Sequence, residues 1–158
     1  MRREGRSLAH ARSAARKLAL QALYRWQLNR CVWQELVQEF DAEAQASRAD
    51  QEYFQALIRG VCVEHEQLDA ALEPLLDRRP AELDPIEHAA LLIGSYELRA
   101  RQDIPFRVAI DEAVGLARRF GATDGHKFVN AVLDQAARLW RPAEAAHARA
   151  PTPPRGAA

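Results

Sequence analysis

From Ser13 to Gln27 the chain reads "SAARKLALQALYRWQ". Its apolar residues recur at spacings of three and four, not in the alternation of a half-buried strand, and this predicts an amphipathic helix over about residues 8–29. On a helical wheel Leu8, Ala11, Ala15, Leu18, Ala19, Ala22, Leu23 and Trp26 share one arc, the candidate core face. The opposite arc gathers His10, Ser13, Arg16, Lys17, Gln21, Tyr24 and Arg25, cations and amides around one phenol ring. Arg12 falls on the rim of the apolar arc. Arg12 and Arg16 stand at i and i+4, where like charges weaken a helix by about a few tenths of a kcal/mol unless an anion relieves them. Two readings of the polar arc stay open: a dock for phosphates and unpaired bases, or a solvated face whose Tyr24 packs on the next helix.

The same helical spacing continues along the chain. Trp33, Leu36, Val37 and Phe40 predict a short second helix, and the polar "DAEAQASRAD" after it reads as a loop ending in Asp50, an N-cap for the next helix. Tyr53, Phe54, Leu57, Ile58, Val61, His65, Leu68 and Leu72 keep the period of a long helix from Gln51 to about Leu76, with Gly60 marking a bend or the close approach of another backbone. In "LDPIE", Asp84 is the expected N-cap, Pro85 fits the first turn, and Glu87 completes a capping-box pattern. A helix to about Arg101 comes after it, "QDIP" interrupts, and another runs from about Phe106 to Phe120 with Gly121 at its end. The last helix starts near Thr123 or Asp124 and stops before Pro142. Residues 142–158 are Ala, Pro and Arg with little else apolar, and are expected to stay disordered. The reading is all-α: one domain over 1–141, its helices grouped about 8–76 and 84–141.

With 158 residues, 48% of them apolar, the chain is long enough to bury its own core. Net charge is zero but unevenly spread: residues 1–30 hold eight Lys/Arg against one acid, 31–100 hold five against fifteen, and 101–158 hold nine against six. The basic end is a candidate polyanion site, while the acidic middle argues against a nucleic-acid coat over the whole surface. Cys31 and Cys62 lack the paired spacing of a zinc site and read as reduced thiols. No run approaches the ~18 apolar residues of a membrane span, and a cytoplasmic location is expected.

Catalysis would need a nucleophile beside a base, a carboxylate pair, a metal cluster or a phosphate-cradling loop, and no such constellation stands in the sequence. "HEQLD" at His65 begins like a helical zinc site, but Asp69 occupies the second histidine's place. No metal and no cofactor is expected. A purely protein-binding helical adaptor without RNA contact remains the alternative to an RNA binder, and self-association through apolar patches stays open.

"ARKLALQALYRWQ", "YFQALIRGV", "YEL" and above all "IPFRVAIDEAVGLARRFGATDGHKFVNAVLD" resemble the NusB family of bacterial transcription antitermination factors, from about Ala11 to Pro142. The resemblance implies two packed three-helix groups and a non-catalytic RNA-binding role. It implies that the chain holds single-stranded boxA RNA together with NusE, a small-subunit ribosomal protein, within an RNA polymerase antitermination complex. It implies an RNA face made of Arg12, Arg16, Tyr24, Asp124, Lys127 and Phe128, which Lys17 joins from the polar arc of the first helix, with Arg2, Arg3 and Arg6 as helpers, and Glu87 as a contact for NusE. Asp124 is the unusual member of that set, a carboxylate expected to temper RNA binding while capping the last helix. This chain departs from relatives in the small residues Ser13, Ala14 and Ala15 between its two arginines, and in Leu92 and Gly94 of "ALLIGSYEL".

Overall fold

A computed structural model describes residues 2–149, and the side chains of residues 8–148. Among these, the helices are α1 (Arg2–Leu28), α2 (Trp33–Glu39), α3 (Asp41–Ala46), α4 (Gln51–Leu72), α5 (Pro85–Ala100), α6 (Phe106–Phe120), α7 (Gly125–Trp140) and α8 (Pro142–Arg149). No strand occurs among the described residues, so the chain is all-α.

The caps explain where the long helices begin. Asp50 Oδ1 accepts the Tyr53 amide at 3.0 Å and starts α4. Asp84 Oδ1 accepts the amides of Ile86 and Glu87 at 2.9 and 3.2 Å, ahead of Pro85, whose missing N–H is no loss in a first turn. Between α4 and α5 the linker folds into two 3-10 turns, Glu73–Leu75 and Pro80–Glu82.

Two helices occupy the interior. α5 buries every residue from His88 to Ser95, then Glu97 and Leu98, because α1, α4, α6 and α7 all pack on it. α1 is the other. It lies against α4 on one side and against α5 and α6 on another, so Leu20 is buried as fully as Leu23 although Leu20 lies off the apolar arc. Leu8, placed on the core arc by its spacing, is exposed because the first turns of α1 run past the core.

Three expectations need correction. The polar stretch after Phe40 contains helix α3 rather than only a loop; its Ala44 is buried and anchors the turn. The tail is not disordered from its start. Residues 142–149 form α8, with Ala145 buried and Glu144 Oε1 accepting the Phe106 amide at 2.9 Å, which caps α6 from outside. Arg141, just before it, donates to the carbonyls of Glu97, Leu98, Arg101 and Ile104 and so closes the C-terminal end of α5. Residues 150–158 lie outside the described residues. Third, Glu87 does not complete a capping box: its carboxylate rests where a Cβ on Gly125 would stand, with Oε1 2.5 Å from that position.

Gly60 is explained by a ring rather than by a backbone. The edge of Tyr96 fills the space that a methyl group would take. His65 is a structural histidine: Arg30 donates to its Nε2 at 3.0 Å, which leaves Nδ1–H to donate to the Cys62 carbonyl at 2.9 Å.

Candidate nucleic-acid interface

Contacts along α1 put its outward face in register with α6 and α7. Ser13 donates to Glu112 at 2.7 Å, Lys17 Nζ lies 6.0 Å from the centre of the Phe120 ring, and Gln27 donates to the Pro85 carbonyl at 2.9 Å. These contacts ascend α1 in order, so the end of α6 lies beside the α1 turn that carries Lys17. From the other end, α5's first turn bridges α1 to α7 through Gln27 and through Glu87 on Gly125.

Tyr24 is 39% exposed, an aromatic side chain left open on this face. Lys17 is half-buried. The Phe120 ring that Lys17 approaches also carries the Arg119 guanidinium, 5.3 Å from its centre. Asp124 sits in the left-handed region at φ 68°, just ahead of α7, and its side chain makes no capping bond, contrary to expectation. It pairs instead with Lys127 Nζ at 3.1 Å, both side chains well exposed. Phe128 is half-buried against the core, and its ring is covered by the Arg78 guanidinium at 5.3 Å. Arg78 is a cation beside Phe128 that local patterning does not reveal, since its partner is fifty residues away.

Arg12 and Arg16 of α1 part from this surface. Arg16 is 2% exposed, and its guanidinium donates to both carboxylate oxygens of Glu97 at 2.9–3.1 Å. Glu97 also accepts a hydrogen bond from the Tyr53 hydroxyl, and Glu112 approaches Arg16 from its other side at 3.4 Å. The expected meeting of Arg16 with phosphate is therefore corrected to a structural role: the anion that relieves the Arg12–Arg16 repulsion comes from within the protein. The reason is the central position of α1, which turns the supposed polar arc at Arg16 towards α5. Glu97 raises the Arg16 pKa against the opposing effect of burial, the largest single influence. Arg12 stays partly exposed, 4.8 Å above the Tyr53 ring centre, on a different side of α1 from Lys17 and Tyr24. Glu87, the expected partner contact, is half-buried, and burial followed by Asp84 pushes its carboxyl up. The side chains of Arg2, Arg3 and Arg6 lie outside the described residues. Among the described residues, no group of His, Cys, Asp and Glu is arranged to hold a metal, and no helix is long and apolar enough to cross a membrane.

The NusB family pattern matches residues 13–138. The transcription antitermination protein NusB of Idiomarina loihiensis is 51% identical over 132 residues, covering 84% of this chain and 95% of that protein. That of Hahella chejuensis is 46% identical over 138 residues, covering 87% and 93%. Among solved structures, the antitermination factors NusB and NusE in complex with dsRNA match with TM-score 0.74 at 28% identity, over 82% of this chain and 97% of that one. T. maritima NusB matches with TM-score 0.71 at 28% identity, over 80% and 90%. This chain belongs to the NusB family.

Proposed function

We propose that this protein is a transcription antitermination factor that binds RNA of the boxA type together with NusE, without catalysing a reaction. Its working place is the cytoplasm, within a complex that includes RNA polymerase. One observation carries the RNA part of the reading: the Tyr24 ring is left 39% exposed on α1, the helix that also carries Lys17, and Lys127 stands well exposed at the start of α7. Phosphates are neutralised by Lys17 and Lys127, and an unpaired base stacks on Tyr24. Arg119 on Phe120 and Arg78 on Phe128 add two cation-topped rings. Arginine planes of this kind are themselves stacking surfaces for bases.

The acidic middle of the chain, fifteen acids against five bases over residues 31–100, suits a basic protein partner rather than nucleic acid. NusE is assigned to that partner role because the matching structure pairs a NusB with it. The test is titration of a labelled boxA-like RNA, single-stranded and as a duplex, with and without NusE. Tighter binding in the presence of NusE, lost at high salt, is the expected result. No binding of either RNA form, with NusE present, overturns the proposal in favour of a purely protein-binding adaptor.

A further inference from the structure

Three guanidiniums gather around the buried ring of Tyr53: those of Arg12, Arg101 and Arg16, at 4.8, 5.0 and 5.2 Å from its centre. The inner one is committed, since Arg16 is held by Glu97. The outer two are held by no buried carboxylate. Side-chain exposures of 27% for Arg12 and 24% for Arg101 leave both reachable from solvent where the α5–α6 turn meets the start of α1. A single carboxylate serves them. Asp103 accepts two bonds from Arg101, both at 3.0 Å, and stands 4.0 Å from the nearest Arg12 nitrogen. Meanwhile Arg12 Nε is buried with no hydrogen-bond partner. The mouth of the cluster thus holds two positive charges and one negative charge.

A phosphodiester can take the place of the carboxylate now in this mouth. It carries one negative charge on two non-bridging oxygens, and each can take hydrogen bonds from a different guanidinium. The phenol ring beneath keeps the guanidiniums stacked, so little further ordering is needed when an anion arrives. The Arg101 hydrogen bonds hold the Asp103 carboxyl below the usual carboxylate range, so it is ionised whenever RNA is present. It is also open to exchange with solvent species, with half of its side chain, 53%, exposed.

We infer that Arg12 and Arg101, laid against Tyr53, form a seat for one RNA phosphate, and that the Asp103 carboxylate occupies this seat until RNA displaces it. The inference rests on the RNA-binding reading above and extends it to the α5–α6 turn, which neither sequence patterning nor the resemblance brought forward. Tyr24 comes twelve residues after Arg12 on α1, about 18 Å along the axis. The seat therefore engages a different nucleotide from the one that stacks on Tyr24.

The experiment uses the full chain and a labelled single-stranded boxA-like RNA, with affinities read by fluorescence anisotropy over a range of salt. Wild type is compared with Asp103→Asn, Arg101→Lys and Lys127→Ala. Asp103→Asn is expected to bind severalfold tighter with the log–log salt slope unchanged, because the same phosphate is seated in both proteins and only the competing carboxylate is gone. Arg101→Lys keeps the charge but loses the planar fork, and is expected to bind severalfold weaker. Asp103 is exposed, so Asp103→Asn leaves the fold intact, and a thermal melt checks this. If wild type binds and Lys127→Ala weakens it while Asp103→Asn binds no tighter, the seat is overturned and the RNA reading stands. If wild type binds no RNA with or without NusE, both fall together.

Discussion

Arg16 and Glu97 are eighty-one positions apart in sequence and 2.9 Å apart in the interior, with side-chain exposures of 3% and 0%. They join α1 to α5 at the point where the two groups of helices meet. Breaking such a pair from one side leaves a buried charge without its partner, which costs about 3–5 kcal/mol. Arg16→Ala and Glu97→Ala are each expected to lower the unfolding free energy by that amount, read from a urea titration. Replacing both by Met and Leu should recover most of the loss, because no charge is then stranded.

For the RNA face, Lys127→Ala is expected to make the salt slope shallower by about 0.7, as one phosphate contact is lost. Tyr24→Ala should cost about 1–3 kcal/mol of binding, while Tyr24→Phe keeps the ring and stays near wild type. Titrations at three salt concentrations separate the two effects, since the ring contributes little to the slope.

Asp124→Asn is expected to tighten RNA binding severalfold and leave the melting temperature unchanged. The carboxylate neutralises Lys127 at 3.1 Å where phosphate is to arrive, and asparagine tolerates the left-handed backbone at φ 68°. Equal or weaker binding by this variant would count against Asp124 as a brake on RNA.

Stability is expected to fall on the alkaline side. Burial, and next the Glu97 charge, push the Tyr53 phenol above its ordinary value of 10.0. Burial, and next Cys31, push the Cys62 thiol from 9.0 up to about 12. Both groups stay protonated in the folded chain at a pH where the unfolded chain ionises. Their stabilising effect is therefore whole below about pH 9 and is lost as pH rises towards 12. Thermal melts from pH 7 to 11 should show the decline, and Tyr53→Phe should flatten it while lowering the plateau.

At the other end, Glu144→Ala should destabilise the fold by about 0.5–2 kcal/mol, the usual cost of a lost helix cap, because it uncaps α6 at Phe106 and frees Arg141 from its 3.1 Å contact. Removing residues 142–158 should match that loss in a chemical denaturation experiment.

Helix starts are legible in the sequence wherever a short-range side-chain bond creates them: Asp50 and Asp84 announce α4 and α5, and both bonds are there. Tyr24 is set on the outward arc by the helical wheel and Lys127 by the family motif, and both side chains are exposed. Arg16 is misplaced by a wheel because a wheel grants a helix one interior side, whereas α1 has neighbours around more than half of its girth. Arg78 and Arg101 escape notice because their rings, Phe128 and Tyr53, are remote in sequence and nothing local marks the pairing. The opening turn of the tail is hidden because its main hold, Glu144 on the Phe106 amide, is a long-range bond of one residue.

Because α1 is lodged between both groups of helices, the 73–84 linker cannot work as a hinge. Swinging one half away would strip α1 of a wall and bring the Arg16–Glu97 charges into the gap. The halves are expected to melt in a single calorimetric transition, and a fragment beginning at residue 84 to lack a fold of its own. Two modules in the order of helices are one cooperative unit in space, stitched along the first of them.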